Sequence, residues 1–389
     1  MGNIYYLSYY DSTGSNEHRN VTLSAKTKMD YIINCLVKAG ERIEIISASG
    51  SADKKESYPK SYTEIQDNVY LKKFYTFPWG NSFQKLLSMT TSRASILFEL
   101  LKKRKNDIVL VYHSLGYMNT VLFAHKIKRF KLVMEVEEIY ADVTGNQKIR
   151  AKELRFFQEA DAYIFPTQLL DDAVNTRHKP SVVVHGTYQV EPDRYCNVFN
   201  DDVEYSEKKT IHCVYAGTLD PRKGGAIAAA AAAEYLPSNY HIHILGFGGE
   251  KEIQEMKKLV ADVQSRSKAT VSYDGLLSGE EYIRFIQSCD IGLSTQDPNA
   301  AFNETSFPSK VLSYFANGLH VVSIRIPAVE QSAVGDMLTY YDVQSPEEIA
   351  KAIMSVDVHA SYDSRERIDK LHESFVQDLK QMLKQVETL

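Results

Sequence analysis

Apolar and polar positions along the first half of the chain fall into blocks whose period switches between two and about 3.6 residues. Ile4 to Tyr10 reads as a strand, Asp11 to Asn20 as a polar loop containing Gly14, Val21 to Ala39 as a helix stopped by Gly40, and Arg42 to Ser47 as the next strand. Ala48 to Tyr62, rich in Ser, Lys and Asp, reads as a mobile surface loop. A strand near Val69 to Phe77 and a helix near Phe83 to Lys103 lead to Asp107-Ile-Val-Leu-Val-Tyr-His113, an apolar run of the kind buried on both faces of a parallel sheet. Lys131 to Glu137, Asp161 to Pro166 and Ser181 to His185 repeat that run with helical segments between them, which is the pattern of a doubly wound domain.

The periodicity breaks at Gly186 to Lys209, a stretch with Pro192 and a cluster of acids that suits a link between domains. A second series follows: Ile211 to Ala216 as a strand, an Ala-rich helix from Ala226 to Leu236, His241 to Leu245, a charged helix from Lys251 to Ser265, Thr270 to Tyr273, and a helix from Gly279 to Ser288. It ends in a strand–loop–helix–strand unit. Asp290 to Thr295 is followed by a polar loop, a short helix opening at Pro308 and Ser309 and stopped at Gly318, and the run His320 to Ile324. The blocks divide the chain into a first domain over residues 1–186, a linker over 187–209, a second domain over 210–360 and a charged helical tail over 361–389, which one reading packs back on the first domain. The expected fold class is α/β, with two Rossmann-like doubly wound domains facing across a cleft where an active site would lie.

Composition narrows the function without deciding it. A formal net charge of −5 over 389 residues argues against a dedicated nucleic-acid binder. Four cysteines, Cys35, Cys196, Cys213 and Cys289, have no metal-ligand spacing, so they imply a reducing compartment without disulfides or a zinc site. No apolar run approaches the roughly 18 residues of a membrane span, and the N-terminus has no basic-then-apolar leader, which makes the cytoplasm the expected location. Met1-Gly2 opens a myristoylation pattern that Tyr6 at its sixth position breaks.

Two loops carry the candidate chemistry. In the unit from Asp297 to Val322, the helix start at Ser309 would present free N–H groups, with Lys310 in the first turn, to an anion such as phosphate. Gly217-Thr-Leu-Asp-Pro-Arg-Lys-Gly-Gly225 lies between a strand and a helix and adds Arg222 and Lys223; a surface turn with solvated charges is the competing explanation. Together the two loops suit a diphosphate. At strand ends stand Glu137, Glu138 and His113. Basic clusters at Lys102-Lys-Arg-Lys105 and at Lys126, Lys128, Arg129 and Lys131 give the first domain an affinity for an anionic membrane surface, unless they are simply solvated helix ends.

In order and spacing, the GTLDPRKGG loop, His243-Ile-Leu-Gly-Phe-Gly-Gly249, Tyr273-Asp-Gly-Leu-Leu277, Asp290 to Thr295 and Phe307-Pro-Ser-Lys-Val-Leu-Ser-Tyr-Phe-Ala-Asn-Gly318 resemble the C-terminal half of GT-B glycosyltransferases, in particular the large retaining family 4. The first half resembles them more loosely, through the Gly14 loop, Val133 to Ile139 and Ala160 to Thr167. The resemblance implies a nucleotide-sugar donor and no metal or other cofactor. It makes Arg222, Lys223, Ser309 and Lys310 the diphosphate site, and puts Gly14, Thr218, Leu277, Thr305 and Ser313 around the sugar and nucleoside. Glu137, His113 and Glu304 become catalytic candidates, two of them brought to the sugar by domain closure. The family's paired glutamates, counted back from Gly318, fall on Thr305, one position from Glu304, and on Ser313, which cannot accept two hydrogen bonds from a ribose diol as a carboxylate does. The implied activity is transfer of a hexosyl or related sugar, with retention, to a hydroxyl of a glycan or lipid-linked acceptor in bacterial surface polysaccharide synthesis. The chain would work in the cytoplasm or peripherally on the inner membrane face. A non-catalytic partner subunit of a transferase complex and a nucleotide-sugar epimerase or hydrolase are the alternatives.

Overall fold

A computed structural model describes residues 3–144, 146–194, 198–199, 210–221, 225–299, 303 and 305–389. The chain divides into two compact units, Met1–Val184 with Glu373–Leu389, and His185–His372.

The first unit runs β1 Asn3–Ser8, α1 Leu23–Lys38, β2 Arg42–Ser47, β3 Ser61–Gln66, β4 Val69–Lys73, α2 Ser82–Leu100, β5 Ile108–Tyr112, α3 Met118–Lys128, β6 Lys131–Glu135, α4 Tyr140–Thr144, α5 Gln147–Gln158, β7 Ala162–Phe165, α6 Gln168–Val174 and β8 Ser181–Val183. Its eight strands lie in the order β3-β4-β2-β1-β5-β6-β7-β8. All neighbours are parallel except the edge hairpin β3–β4, whose turn holds Asn68 at φ 63°. Strands such as Ile108–Tyr112 and Lys131–Glu135 are buried almost throughout because helices cover both faces, and Val109, Val111, Leu132, Met134, Phe156 and Phe157 share one core cluster.

The stretch Ala48 to Tyr62 departs from its expectation. Its Ser49, Ser51 and Tyr58 are buried, and it is tied down by Arg19, whose guanidinium donates to the carbonyls of Ser49 and Phe74 at 3.1 Å and of Pro59 at 3.2 Å. Here polar composition reflects one arginine satisfying loop carbonyls, not a loop free in solvent.

The second unit contains β9 Ile211–Thr218, α7 Gly225–Ala231, β10 Tyr240–Phe247, α8 Glu250–Gln264, β11 Thr270–Gly275, α9 Gly279–Gln287, β12 Ile291–Ser294, α10 Lys310–Ala316, β13 His320–Ile324, α11 Pro327–Glu330, β14 Thr339–Tyr341 and α12 Pro346–Met354. Its six strands are all parallel, in the order β11-β10-β9-β12-β13-β14. Counted from β9 this is 3-2-1-4-5-6, the nucleotide-binding order, with its reversal between β9 and β12. The last helix, α13 Ser364–Thr388, starts in this unit, where Ser364 Oγ donates to Phe315 O at 2.9 Å, and ends in the first, where Phe375 stacks on Tyr31 at 5.8 Å. Among the described residues, no helix is long and apolar enough to cross a membrane.

Candidate functional site

In the second unit the site begins where β9 and β12 part. Their pairing covers only Ile291↔Cys213 and Gly292↔Val214. Above that, Tyr314 on α10 takes over: its hydroxyl accepts from Ala216 N at 2.8 Å and lies 3.4 Å from Leu293 O. The Tyr314 ring fills the place a Cβ on residue 292 would take, so glycine is required there. The strands therefore splay at their carboxyl ends and leave the crevice in which ligands of such sheets bind.

Lys310 reaches this crevice from α10. Its Nζ lies 3.7 Å from the centroid of the Tyr215 ring, and a Cβ on Gly217, at the end of β9, would stand 3.1 Å from it. Tyr215 is held in turn by donating to Thr218 O at 3.1 Å, and Thr218 Oγ1 accepts from Asp220 N at 3.2 Å. The absence of side chains at Gly217 and Gly225 makes room for the Tyr215–Lys310 pair, since a Cβ on Gly225 would meet the same ring at 2.8 Å. An aromatic face holds an ammonium in place without neutralising its charge. The helix itself is short, Lys310–Ala316, and Ser309, already in helical conformation, is exposed at its start.

The loop before α10 is pinned from inside: buried Asn303 donates to Asp297 O at 2.6 Å and accepts from Gln296 Nε2 at 2.8 Å. Thr305 is half-buried. Ser313 points toward α9, with its Oγ 3.4 Å from Tyr282 Oη. Leu277 borders a cavity of about 560 Å³ beside α9 whose other walls are Val198, Asp274, Glu280, Glu281, Arg284 and Phe285; Thr218, Ser309 and Lys310 do not line it. Arg222, Lys223 and Glu304 lie outside the described residues.

In the first unit the sheet order changes direction between β1 and β5, and the groups there come from β1, β6 and α1. Glu135 is fully buried and accepts from the Tyr6 hydroxyl; Glu137, half-buried, pairs with Lys28 Nζ at 2.6 Å. Burial first, and then the neighbouring Glu137 charge, push the Glu135 carboxyl up to about 8, with Lys28 acting in the opposite sense. Glu135 is therefore held protonated well above the usual carboxylate range. Gly14, at φ 78°, forms an exposed turn in which Ser15 N donates to Ser12 O at 3.2 Å.

His113 stands apart from these groups. Its ring is fully enclosed, stacked on Tyr140 at 4.7 Å and edge-on to Phe157 at 4.7 Å, with Nε2 3.2 Å from Glu153. Burial pushes it down to about 3, so it is neutral at physiological pH, while Glu153 caps α4 by accepting from Tyr140 N and Ala141 N at 2.8 and 2.9 Å. At this strand end the histidine is turned into the core and packs there. Sequence reasoning missed Glu135, Tyr6, Lys28, Tyr215 and Tyr314. The signal for Glu135 was a carboxylate inside an otherwise apolar strand, at a spacing of two from Glu137.

Residues 210–356 match the model of the family glycosyl transferases group 1. No curated protein matches the sequence. Among solved structures, the E. coli trehalose-6-phosphate protein bound with UDP-2-fluoro glucose superposes with a TM-score of 0.68 at 9% identity, covering 100% of this chain and 99% of that one. Sucrose-phosphate synthase from Thermosynechococcus elongatus gives 0.68 at 13% identity, covering 99% of each chain. The α,α-trehalose 6-phosphate synthase from Burkholderia multivorans gives 0.65 at 10% identity, covering 98% and 95%. The fold is GT-B, built of two Rossmann-like domains with parallel sheets of eight and six strands, the eight-stranded one carrying an antiparallel edge strand.

Proposed function

We propose, from the match of residues 210–356 to the group 1 glycosyltransferase model, that this protein is a retaining glycosyltransferase using a nucleoside-diphosphate sugar. The acceptor in this reading is a hydroxyl of a glycan or a lipid-linked glycan, as in bacterial surface polysaccharide synthesis, with the protein peripheral on the inner membrane face. The observation that carries it is Lys310, held over Tyr215 at the point where β9 and β12 part. A cation fixed there opposes the negative charge that grows on a departing diphosphate, and Arg222 and Lys223 of the glycine loop add to it. Ser309 is the helix-start contact. Thr218, Thr305 and Ser313 are assigned to the sugar and ribose, with hydroxyls in place of carboxylates, and Leu277 and Gly14 to the edges of the donor. Glu304 is kept as a candidate near the donor sugar. In the first unit, Glu137 is our candidate for hydrogen bonding a sugar or acceptor hydroxyl, oriented by Lys28; His113 supports it only through packing.

The second reading, a non-catalytic GT-B subunit of a transferase complex, is favoured by Ser313, whose Oγ faces Tyr282 Oη where the family places a ribose-binding glutamate. Calorimetry and thermal shift with a panel of nucleoside diphosphates separate the two. The expected result is binding of one diphosphate by the wild type, weakened about 10- to 100-fold in Lys310→Ala and in Lys223→Ala, because a hydrogen bond to a charged group contributes about 1.5–3 kcal/mol. No binding, with tight association to another subunit, would transfer the assignment to the non-catalytic reading. Equal binding by both variants would remove the diphosphate site.

A further inference from the structure

Helix α2 turns the wrong face to water for a soluble helix. Its inward side is buried through Ser88, Ile96, Glu99 and Leu100. Its outward stripe, at spacings of three and four residues, is Phe83, Leu86, Thr90, Ala94 and Phe98, with Phe83 72%, Leu86 61% and Phe98 66% exposed. The stripe runs about 22 Å along the helix at 1.5 Å per residue. The adjoining helix α3 adds Phe123 and Ile127, one turn apart and 55% and 54% exposed. Single exposed apolar residues are ordinary, but five large ones on two packed helices are not.

The charge along this stretch is mostly of one sign. From Ser82 to Lys131 the sequence holds ten Lys or Arg against two acids, Glu99 and Asp107, in a chain of net −5. Glu99 is turned inward, where Lys72, Lys102 and Lys103 join it at 2.9, 3.0 and 3.2 Å, so of the exposed cations it draws on Lys102 alone and leaves Arg104, Lys105, Lys126 and Arg129 to the surface. Lys102, Arg104, Lys105, Lys126 and Arg129 are exposed, and Lys102 Nζ lies 4.5 Å from the centroid of the Phe98 ring.

We propose that the α2–α3 face docks on an anionic phospholipid bilayer, with Phe83, Leu86, Phe98, Phe123 and Ile127 entering the headgroup–acyl boundary and the surrounding lysines and arginines meeting lipid phosphates. An apolar stripe rimmed by cations is the pattern of an interfacial helix. A second copy of the chain is the poorer occupant, because a two-fold contact would bring this positive surface against itself. The inference deepens the lipid-linked acceptor reading above. Nucleotide binding is measured alongside it so that the two fail separately.

The sequence contains one tryptophan, Trp79, half-exposed just before α2, with Lys85 Nζ 5.7 Å from its ring. It serves as the reporter. The full chain is mixed with vesicles of phosphatidylcholine, alone or with phosphatidylglycerol, and followed by co-sedimentation and Trp79 emission. The expected result is binding and a blue shift only with the anionic vesicles, weakened at ~1 M salt, where the screening length falls to about 3 Å. Replacing Lys105, Lys126 and Arg129 by Gln should weaken binding about 100-fold. Phe83→Ser with Phe98→Ser should weaken it about tenfold or more. Both variants should keep the wild-type melting temperature and nucleotide response. Equal binding to neutral vesicles, binding to neither, or undiminished binding by the variants overturns the proposal. Light scattering that shows a dimer or a complex with an acidic protein dissolved by the same substitutions, without vesicle binding, overturns it as well.

Discussion

At the end of β6, Glu135 is closed in against Tyr6 while Glu137, two residues on, keeps Lys28, and the low-dielectric surroundings make a second negative charge costly there. Because the folded Glu135 carboxyl is raised from 4.5 to about 8, the folded state holds a proton in that window that the unfolded chain has already released. Stability from this group therefore falls as pH climbs from about 4.5 to about 8 and levels off above, by an amount on the order of a few kcal/mol. Glu135→Gln should flatten that slope and make the protein more stable than wild type near the upper end; denaturant midpoints across the window read it, and an unchanged slope would place the proton elsewhere. At this scale the sequence was partly legible. Glu137 could be picked out as a strand-end carboxylate, but its pairing with Lys28 and the burial of Glu135 depend on β1, β5 and β6 being neighbours. His113 was equally visible at a strand end. The face it takes is set by Tyr140 and Phe157, residues far along the chain whose approach no local pattern announces.

Among the elements, the splay of β9 from β12 is the feature that makes a crevice, and it depends on one contact between a helix and a strand. Gly292→Ala would push a methyl group into the Tyr314 ring, which is fully buried and cannot move aside without releasing Ala216 N. The expected cost is about 3 kcal/mol in the unfolding of the second unit, with loss of nucleotide response in the surviving fold, measured by urea titration followed through Tyr absorbance. A cost under about 0.5 kcal/mol, the range of inert surface changes, would show that α10 gives way easily. The apolar runs that became β5, β6, β9, β12 and β13 were legible because strands buried on both faces are apolar almost throughout. The helix near Phe83 to Lys103 was legible too, but its orientation was not: periodicity reports that one side differs from the other, and the exposed stripe of α2 is itself apolar. The edge strand β3 and the short β14 were missed because Ser61–Gln66 is exposed on most positions and Thr339–Tyr341 is too brief to show a period.

For the molecule as a whole, the doubly wound halves followed from the repeated switch between strand and helix patterns, whereas the sheet orders required the structure. The shared helix α13 joins the two units in a testable way. Phe375, Val376, Leu379, Met382, Leu383 and Val386 are buried on one helical face in the first unit. At about 1.5–3 kcal/mol for each buried side chain, that face is worth as much as the whole stability of an ordinary domain. A chain ending at His372 should therefore lose the first unit and keep the second: limited proteolysis should leave a fragment that begins near His185, and calorimetry should show one transition where the full protein shows two. A protease-resistant first unit in the shortened chain would mean that the helix is dispensable to it.

The split of the first unit into Met1–Val184 and Glu373–Leu389 also fixes an order of events during synthesis. Translation proceeds at about 5–20 residues per second, so the opening 184 residues wait roughly 10–40 s for the segment that completes their core. The second unit, continuous in sequence from His185 to His372, has all its residues before then. Although it is encoded later, it is the one that can finish folding first, and the N-terminal half is left with an uncovered apolar surface until Glu373–Leu389 has been made.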